Sequence, residues 1–134
     1  MVRIGIIGCG FMGTLHGRTL ASLEGARVTA VADPDVGRAQ RLAQELGAKV
    51  YASAEALLEE ESLDGVVVAT PDGAHREPVE LAAQRGVGVL VEKPLATNLE
   101  DADAMIRACQ AAGVVLMVGH ILRFEPAYVQ RSEE

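Results

Sequence analysis

The sequence contains no tryptophan, and phenylalanine and tyrosine each occur only twice in 134 residues. Aliphatic side chains must therefore fill the hydrophobic core, since 49% of the residues are hydrophobic and only 3% are aromatic. Acidic residues outnumber basic ones, 19 to 12, and the net charge of −7 argues against a general nucleic-acid or anionic-membrane surface. The length suffices for one domain with a substantial core.

Other scarce features exclude further classes of site and location. The two cysteines, Cys9 and Cys109, cannot form a disulfide framework, so we expect a reduced, cytoplasmic protein. No apolar run approaches the length of a membrane span, and the glycine-rich N-terminus is not typical of a signal peptide. The three histidines lack the spacing to a carboxylate or cysteine that metal sites need, so no metal is predicted. Of these, His16 is expected to be structural, and the role of His120 stays open.

Short apolar runs recur along the chain with amphipathic segments between them. Five runs are continuous rather than alternating, which is typical of parallel strands covered on both faces: VRIGIIG, ARVTAVAD, DGVVVAT, VGVLVEK and VVLMVGH. A weaker strand is predicted at KVYA, residues 49–52. Helices are predicted at residues 12–23, 36–46, 54–61, 74–85 and 99–112. This order predicts an α/β fold with a doubly wound parallel sheet (a Rossmann fold) of about six strands, with helices on both faces.

The stretch GCGFMG, residues 8–13, follows the first predicted strand and opens the first predicted helix. In a dinucleotide-binding turn, Gly8 permits the tight turn, Gly10 lets a pyrophosphate approach the backbone, and Gly13 lets helix and strand pack closely. The free N–H groups at the start of the helix, where Phe11 and Met12 lie, would then face the phosphates. We predict a dinucleotide site here, with a purely structural glycine turn as the alternative.

Asp33 stands 20 positions after Gly13 and closes the second predicted strand. A carboxylate there accepts hydrogen bonds from a ribose diol and repels a 2′-phosphate, which favours NAD over NADP. Arg38 follows a few residues later and would soften that preference in favour of NADP. The alternative for Arg38 is a solvated helix residue. Cys9 is expected to fill a small slot in the turn rather than to act as a reactive thiol.

Charged and polar residues close two of the central predicted strands. Thr70 and Pro71 come at the end of DGVVVAT and directly after it, and Glu92 and Lys93 end the fifth strand. Sheets of this order bind their ligands beyond the carboxyl ends of the strands. The charges of Glu92 and Lys93 are therefore predicted to lie at the mouth of the nucleotide crevice.

Five motifs follow one another along the chain: GCGFMG, VADPD, VVVATPDGAH, VEKPLA and GHILRFEP. Together they resemble the N-terminal half of the glucose–fructose oxidoreductase/inositol dehydrogenase family (Gfo/Idh/MocA). The resemblance covers essentially the whole chain, and E-K-P at residues 92–94 is its most specific mark. It implies an NAD(P)-dependent oxidoreductase that passes a hydride between nicotinamide and a sugar- or polyol-like substrate.

The resemblance also implies roles for single residues. Lys93 would be the catalytic lysine, which hydrogen-bonds the reacting hydroxyl or carbonyl and stabilises developing negative charge. Glu92 would lie near the nicotinamide, and Thr70 and Pro71 would line the cofactor channel. The Lys93–Pro94 peptide bond would be cis.

Two further positions match the family pattern. His75 resembles a family position at the cofactor site, and a packing or capping histidine is an equal alternative for it. Arg123, in GHILRF, would match the segment at the crossover to a second domain. Both residues are included among the predicted cofactor-binding positions.

Members of the family continue into a second α/β domain that shapes the substrate site. Residues 1–124 are therefore predicted to form the dinucleotide-binding domain, and 125–134 a tail where the substrate domain would begin. Without that domain, we expect the chain to bind cofactor, to turn over poorly and to self-associate through the uncovered surface. Two other functions stay open: a stand-alone dinucleotide-binding sensor or subunit, and a methyltransferase-like fold, which has no use for E-K-P.

Overall fold

The computed structural model describes residues 1–119, in which six strands alternate with five α-helices. The strands are β1 (Val2–Ile7), β2 (Ala26–Ala32), β3 (Lys49–Tyr51), β4 (Gly65–Val68), β5 (Gly88–Glu92) and β6 (Leu116–Gly119). The helices are α1 (Phe11–Ala21), α2 (Val36–Leu46), α3 (Ala54–Glu60), α4 (Arg76–Gln84) and α5 (Leu99–Ala112). A short 3-10 helix, Asp72–Ala74, precedes α4.

The six strands form one sheet in the order β3-β2-β1-β4-β5-β6, and every neighbouring pair is parallel. From β1 the chain adds β2 and then β3 on one side. It then crosses back to place β4 on the other side of β1, and β5 and β6 follow beyond β4. At such a reversal the loops leave the sheet on opposite sides and open a crevice beyond the carboxyl ends of the strands. The predicted Rossmann fold is confirmed.

Two groups of buried side chains sandwich the sheet. On one face, residues of α3, α4 and α5 pack against the strands, with Leu57 and Met105 among them. On the other face, α1 and α2 cover the strands, with Leu42 among the contacts. Adjacent residues of one strand divide between the faces, as Ile6 and Ile7 do. Since both faces are buried, the strands read as continuous apolar runs.

Capping residues fix the helices that surround the crevice. The Asp35 side chain accepts a hydrogen bond from the backbone N–H of Arg38 over 3.2 Å and so caps the N-terminus of α2. Gly47 ends the same helix with a left-handed φ of 71°. Asn98 and Gly113 do the same for α5. These local signals determine where each helix starts relative to the preceding strand.

Candidate functional site

Two glycines of the turn between β1 and α1 are required by the fold itself. Gly8 has a φ of +98°, and a Cβ there would lie 2.5 Å from the carbonyl oxygen of Ala69. A Cβ on Gly13 would overlap the carbonyl oxygen of Gly8. Any side chain at either position would push α1 or β4 away from the turn.

Gly10 differs from its neighbours because neither backbone nor packing requires a glycine there. Its φ is −76°, which every residue adopts, and a Cβ added at this position would have Nη1 of Arg38 as its nearest neighbour, 3.9 Å away. Gly10 is also the N-cap of α1, and no side chain caps that helix. The space beside the Cα atom of Gly10 is therefore free. It lies at the start of α1, where the first N–H groups have no partner within the helix, and this combination fits a pyrophosphate.

Asp33 lies beside this turn and holds it. Its Oδ2 accepts a hydrogen bond from the backbone N–H of Cys9 over 2.8 Å, and its Oδ1 accepts one from the N–H of Asp35 over 2.8 Å. A carboxylate has about four lone-pair sites, so it retains capacity for two ribose hydroxyls. Asp33 thus links the end of β2 to the glycine turn. Its position in the sequence alone does not predict this structural role.

Cys9 behaves as the packing residue that was predicted. Its thiol lies 3.5 Å from the carbonyl oxygen of Ala32 and is buried. Burial, with a smaller contribution from the Asp33 carboxylate, raises the pKa of the Cys9 thiol to about 12. The thiolate that nucleophilic chemistry requires does not form near neutral pH.

A cavity of about 780 Å³ opens at the carboxyl ends of β1, β2 and β4. Gly8, Asp33 and Thr70 are part of its lining. The Thr70 hydroxyl donates to the carbonyl oxygen of Ala74 over 3.1 Å, which ties the end of β4 to the 3-10 helix that follows Pro71. A cavity of this volume is within the range of cofactor sites.

A second cleft, of about 560 Å³, lies between α1 and α2. Gly10, Phe11 and Arg38 line it, and Phe11 is 82% exposed. Met12, the next residue of α1, is half-buried. The glycine turn therefore separates two open spaces, one on the Asp33 side and one on the Arg38 side.

Glu92 and Lys93 lie where β5 ends. Glu92 is the last residue of the strand, and Lys93 follows it and is exposed. The Lys93–Pro94 peptide bond is cis, as the resemblance implied. The Glu92 carboxylate contacts Nε2 of His16 on α1, and the two side chains are only 13% and 18% exposed. The sequence alone predicted no partner for His16.

His75 is 1% exposed and lies under the site rather than in either cavity. Its Nδ1 is 3.1 Å from the carbonyl oxygen of Leu95, and its Nε2 is 3.0 Å from the carbonyl oxygen of Thr70. Both ring nitrogens are thus occupied by backbone groups. In this structure His75 supports the walls of the site, which corresponds to the packing alternative.

The predicted positions beyond residue 119 lie outside the described residues. They are Arg123, His120 and the segment 125–134, whose roles stay predictions. Within residues 1–119 there is no group of three or more His, Cys, Asp or Glu side chains that could hold a metal ion. Nor is any helix of that region long and apolar enough to cross a membrane.

Comparison with known sequences places this geometry in a family. Residues 2–120 match the sequence profile of GFO_IDH_MocA, described as an oxidoreductase family with an NAD-binding Rossmann fold. The chain belongs to this Gfo/Idh/MocA family. The resemblance carried by the five motifs is confirmed, and the family is one with an NAD-binding Rossmann fold.

Individual relatives agree with the Gfo/Idh/MocA assignment. A 2,7-anhydro-N-acetylneuraminate hydratase of Mediterraneibacter gnavus is 43% identical over 92% of this chain and 32% of its own length. The scyllo-inositol 2-dehydrogenase (NAD(+)) of Bacillus subtilis is 36% identical over 95% of this chain and 38% of its own length. GenD2 from gentamicin A biosynthesis, solved in complex with NAD, superimposes with a TM-score of 0.91 at 31% identity, covering 98% of this chain and 38% of GenD2.

The chain thus spans about a third of the length of the curated relatives that it matches, 32% of the hydratase and 38% of the dehydrogenase. The part that it matches is the NAD-binding Rossmann domain of the Gfo/Idh/MocA oxidoreductase family. Within the described residues, Gly8, Asp33 and Thr70 line the first cavity, and Gly10 lines the cleft on the other side of the glycine turn.

Proposed function

We propose that this Gfo/Idh/MocA domain serves an oxidoreductase that transfers a hydride between nicotinamide and a hydroxyl or carbonyl carbon of a sugar- or polyol-like substrate. The observation that carries the proposal is Gly10, which neither its φ of −76° nor its neighbours explain. A glycine that the fold does not need is explained by a ligand that occupies the space of a side chain.

The cofactor would lie across the glycine turn. Its pyrophosphate would meet the N–H groups at the start of α1, near Phe11 and Met12, and its adenosine ribose would meet the Asp33 carboxylate. Thr70 and Pro71 would form the wall on the β4 side. When bound, NAD supplies the hydride acceptor, and NADH supplies the donor.

Lys93 is the residue we propose for the chemical step. It follows β5 at the edge where the crevice opens, and it is exposed. An ammonium group that donates a hydrogen bond to the reacting oxygen stabilises the negative charge that this oxygen carries once the hydroxyl has lost its proton, or that develops when the carbonyl receives the hydride. In reduction the ammonium can give a proton to the new alkoxide through this hydrogen bond, and in oxidation the neutral amine can take the hydroxyl proton. The isolated chain is expected to bind cofactor but to turn over poorly.

The substrate class is proposed from the relatives. The hydratase is named after a sugar-acid derivative, 2,7-anhydro-N-acetylneuraminate, and the dehydrogenase after a cyclic polyol, scyllo-inositol. Both compounds carry several neighbouring hydroxyl groups, of which one would meet Lys93 in the hydride-transfer geometry. Arg123, in the part of the sequence proposed to lead into a substrate domain, stays a proposed cofactor-binding residue at the end of the unit 1–124.

Cofactor choice can be tested directly by calorimetric titration of this chain with NADH and with NADPH. We expect tighter NADH binding, because the Asp33 carboxylate accepts ribose hydroxyls and repels a 2′-phosphate. Arg38 lies on the other side of the turn, 3.9 Å from the Cβ position of Gly10, and is the group that would let NADPH bind. Arg38→Gln should therefore weaken NADPH binding more than NADH binding. If neither NADH nor NADPH binds to the chain, the proposed function is contradicted.

Two broader proposals concern the state of the chain. Phe11, Leu99 and Met117 are exposed apolar side chains, and we propose that they support self-association. Sedimentation velocity should show concentration-dependent dimers that decrease in Met117→Lys, and a monomer at all concentrations would contradict this.

The buried free thiols of Cys9 and Cys109 suit the cytoplasm, the compartment we propose.

A further inference from the structure

Two histidines contact the two ends of the segment that carries Lys93. His16 reaches Glu92, the residue before Lys93, although the two are 76 positions apart in the sequence. His75 reaches the carbonyl oxygen of Leu95, two residues after Lys93, at 3.1 Å. Helix α1, which carries His16, lies on one face of the sheet, while α4, which begins directly after His75, packs on the opposite face. The segment is therefore held from both sides.

The position of Glu92 follows from the alternation of side chains along β5. Val89 and Val91 pack into the core on the α4 side, and Leu90 packs on the side of α1 and α2. Since successive residues of a strand face opposite sides, Glu92 shares the side of Leu90. Its carboxylate is directed there into contact with the imidazole of His16. A carboxylate that is 13% exposed needs such a donor to offset its lost hydration.

His75 joins the end of β4 to the segment beyond Pro94. Each of its nitrogens faces a backbone carbonyl oxygen, at 3.0 Å for Thr70 and 3.1 Å for Leu95. Carbonyl oxygens only accept, so a neutral ring donates to one of them and a protonated ring donates to both. Either way, a fully buried ring fills the space between Thr70 and Leu95 and fixes their separation.

Regular backbone pairing stops where these two contacts begin. The last paired residues of β5 and β6 are Glu92 and Gly119, and Pro94 has no N–H group to donate. Lys93 thus stands at the first position beyond the ladder. A catalytic group must be held to within about 0.5 Å of its productive position, and side-chain contacts can supply this where the sheet does not.

We propose that His16 and His75 are positioning residues that fix the backbone of Lys93 at the mouth of the cofactor crevice, His16 through Glu92 and His75 through Leu95. The assignment rests on the proposed role of Lys93. It extends that role to two residues that act through their neighbours and not by direct contact with the reacting oxygen. Their effect is mechanical: they hold the flanks of Lys93 on opposite faces of the sheet.

The lysine content of the chain makes the position of Lys93 measurable. Lys49 and Lys93 are the only lysines in the sequence, and Lys49 is exposed on β3, distant in the sheet order from β5. Reductive methylation with ¹³C-formaldehyde followed by NMR gives one dimethyl-lysine signal for each. Lys49 then acts as an internal reference, and its assignment is checked with Lys49→Arg.

The decisive comparison is between His16→Leu and His16→Gln. Leucine fills the space of the ring without a donor, whereas the glutamine amide N–H can reach the Glu92 carboxylate as Nε2 does. We expect the Lys93 signal to move toward that of Lys49 and to sharpen in His16→Leu, and to keep its wild-type position in His16→Gln. An unchanged signal in a folded His16→Leu overturns the proposal, as does an equal displacement in both variants.

His75 is tested by a second pair. His75→Asn keeps a donor near the place of Nδ1, which faces Leu95, and His75→Leu keeps none. The Lys93 signal should be displaced more in His75→Leu, and if that variant fails to fold, the His16 pair decides.

NADH titration of the wild-type chain is a separate measurement. Failure to bind NADH contradicts the proposed function, whereas an undisturbed Lys93 signal contradicts the positioning role.

Discussion

The backbone N–H of Cys9 donates a hydrogen bond to Oδ2 of Asp33 over 2.8 Å. The acceptor is the same carboxylate that lines the cavity beyond β2. Asp33 therefore has a structural partner in the glycine turn and, in the proposed complex, a ligand partner in the ribose. Substitutions of Asp33 should affect folding and binding together, and a control is needed to separate the two effects.

Asp33→Asn removes the charge and replaces one acceptor oxygen with an NH₂ group. We expect NADH binding to weaken about 10- to 100-fold and the free energy of unfolding to fall by about 1–3 kcal/mol, as for loss of a hydrogen bond to a charged group. Discrimination against NADPH should decrease at the same time. Calorimetry and urea unfolding measure the two effects. Asp35→Asn is the matched control, since asparagine caps a helix as well as aspartate does, and it should leave NADH binding intact.

Gly10→Val and Gly13→Ala should have opposite consequences. A Cβ at position 10 meets no backbone clash, so Gly10→Val should fold with only the small loss of a poorer N-cap, about 0.5–1 kcal/mol, and lose NADH binding by more than about 100-fold. Alanine at position 13 would overlap the Gly8 carbonyl, so it should destabilise the fold by about 1–3 kcal/mol or more. Thermal unfolding and NADH titration of both variants provide the check. Retained NADH affinity in Gly10→Val would exclude the turn as the pyrophosphate site.

The stability of the chain should decrease in alkaline solution. The pKa of the Cys9 thiol is raised to about 12 by burial and by Asp33, and the pKa of Tyr51 is raised to about 12, chiefly by its hydrogen bond to Glu61. Above about pH 8.5 the unfolded thiol loses its proton while the folded one keeps it, so the unfolded state binds fewer protons and stability falls as pH rises.

Urea unfolding between about pH 8 and pH 11 measures this slope. Cys9→Ala should reduce it, because the thiol contribution is then absent from both states, and Tyr51→Phe should reduce it by a separate amount. At pH about 8, Cys9 should also react very slowly with a thiol reagent in the native chain. Rapid labelling of Cys9 under native conditions would be inconsistent with its burial.

Leu57→Ala should be among the more destabilising substitutions on the α3 side of the sheet. Leu57 is 0% exposed, and its Cδ2 lies 3.1 Å from the Cβ position of Gly5. We expect a loss of about 2–5 kcal/mol from removed contacts and the cavity left behind. Ile106→Ala is the comparison, because Ile106 is 39% exposed and should cost far less. Equal urea midpoints for the two variants would contradict this view of the core.

The sequence was most informative where a signal is local. The helices predicted at residues 36–46 and 99–112 have those bounds in the structure, because a capping side chain starts each one and a left-handed glycine ends it. The fourth helix was predicted from residue 74 but begins at Arg76. Residues 72–74 form a tighter 3-10 turn after Pro71, and the hydrophobic pattern does not distinguish the two helix types.

The site was predictable in part for the same reason. Gly8, Gly10, Gly13 and Asp33 belong to one strand–helix–strand unit, so their spacing alone predicts that they meet. The contact between His16 and Glu92 depends on the strand order and on the rotation of α1, neither of which periodicity specifies. One signal was present, since a glutamate that closes an apolar strand requires a partner. The sequence did not identify that partner as His16.

The central place of β1 in the sheet also sets the order in which the sheet can be completed. β1 is synthesised before the other five described strands, yet one of its two partners is β4, as the hydrogen bond from the Arg3 N–H to Asp64, 61 positions away, illustrates. At ribosomal rates of about 5–20 residues per second, roughly 3–12 s separate the two strands. During that interval one edge of an apolar strand has no native partner. Nascent-chain binding by chaperones should therefore peak before residues 65–68 emerge and decline once they pair.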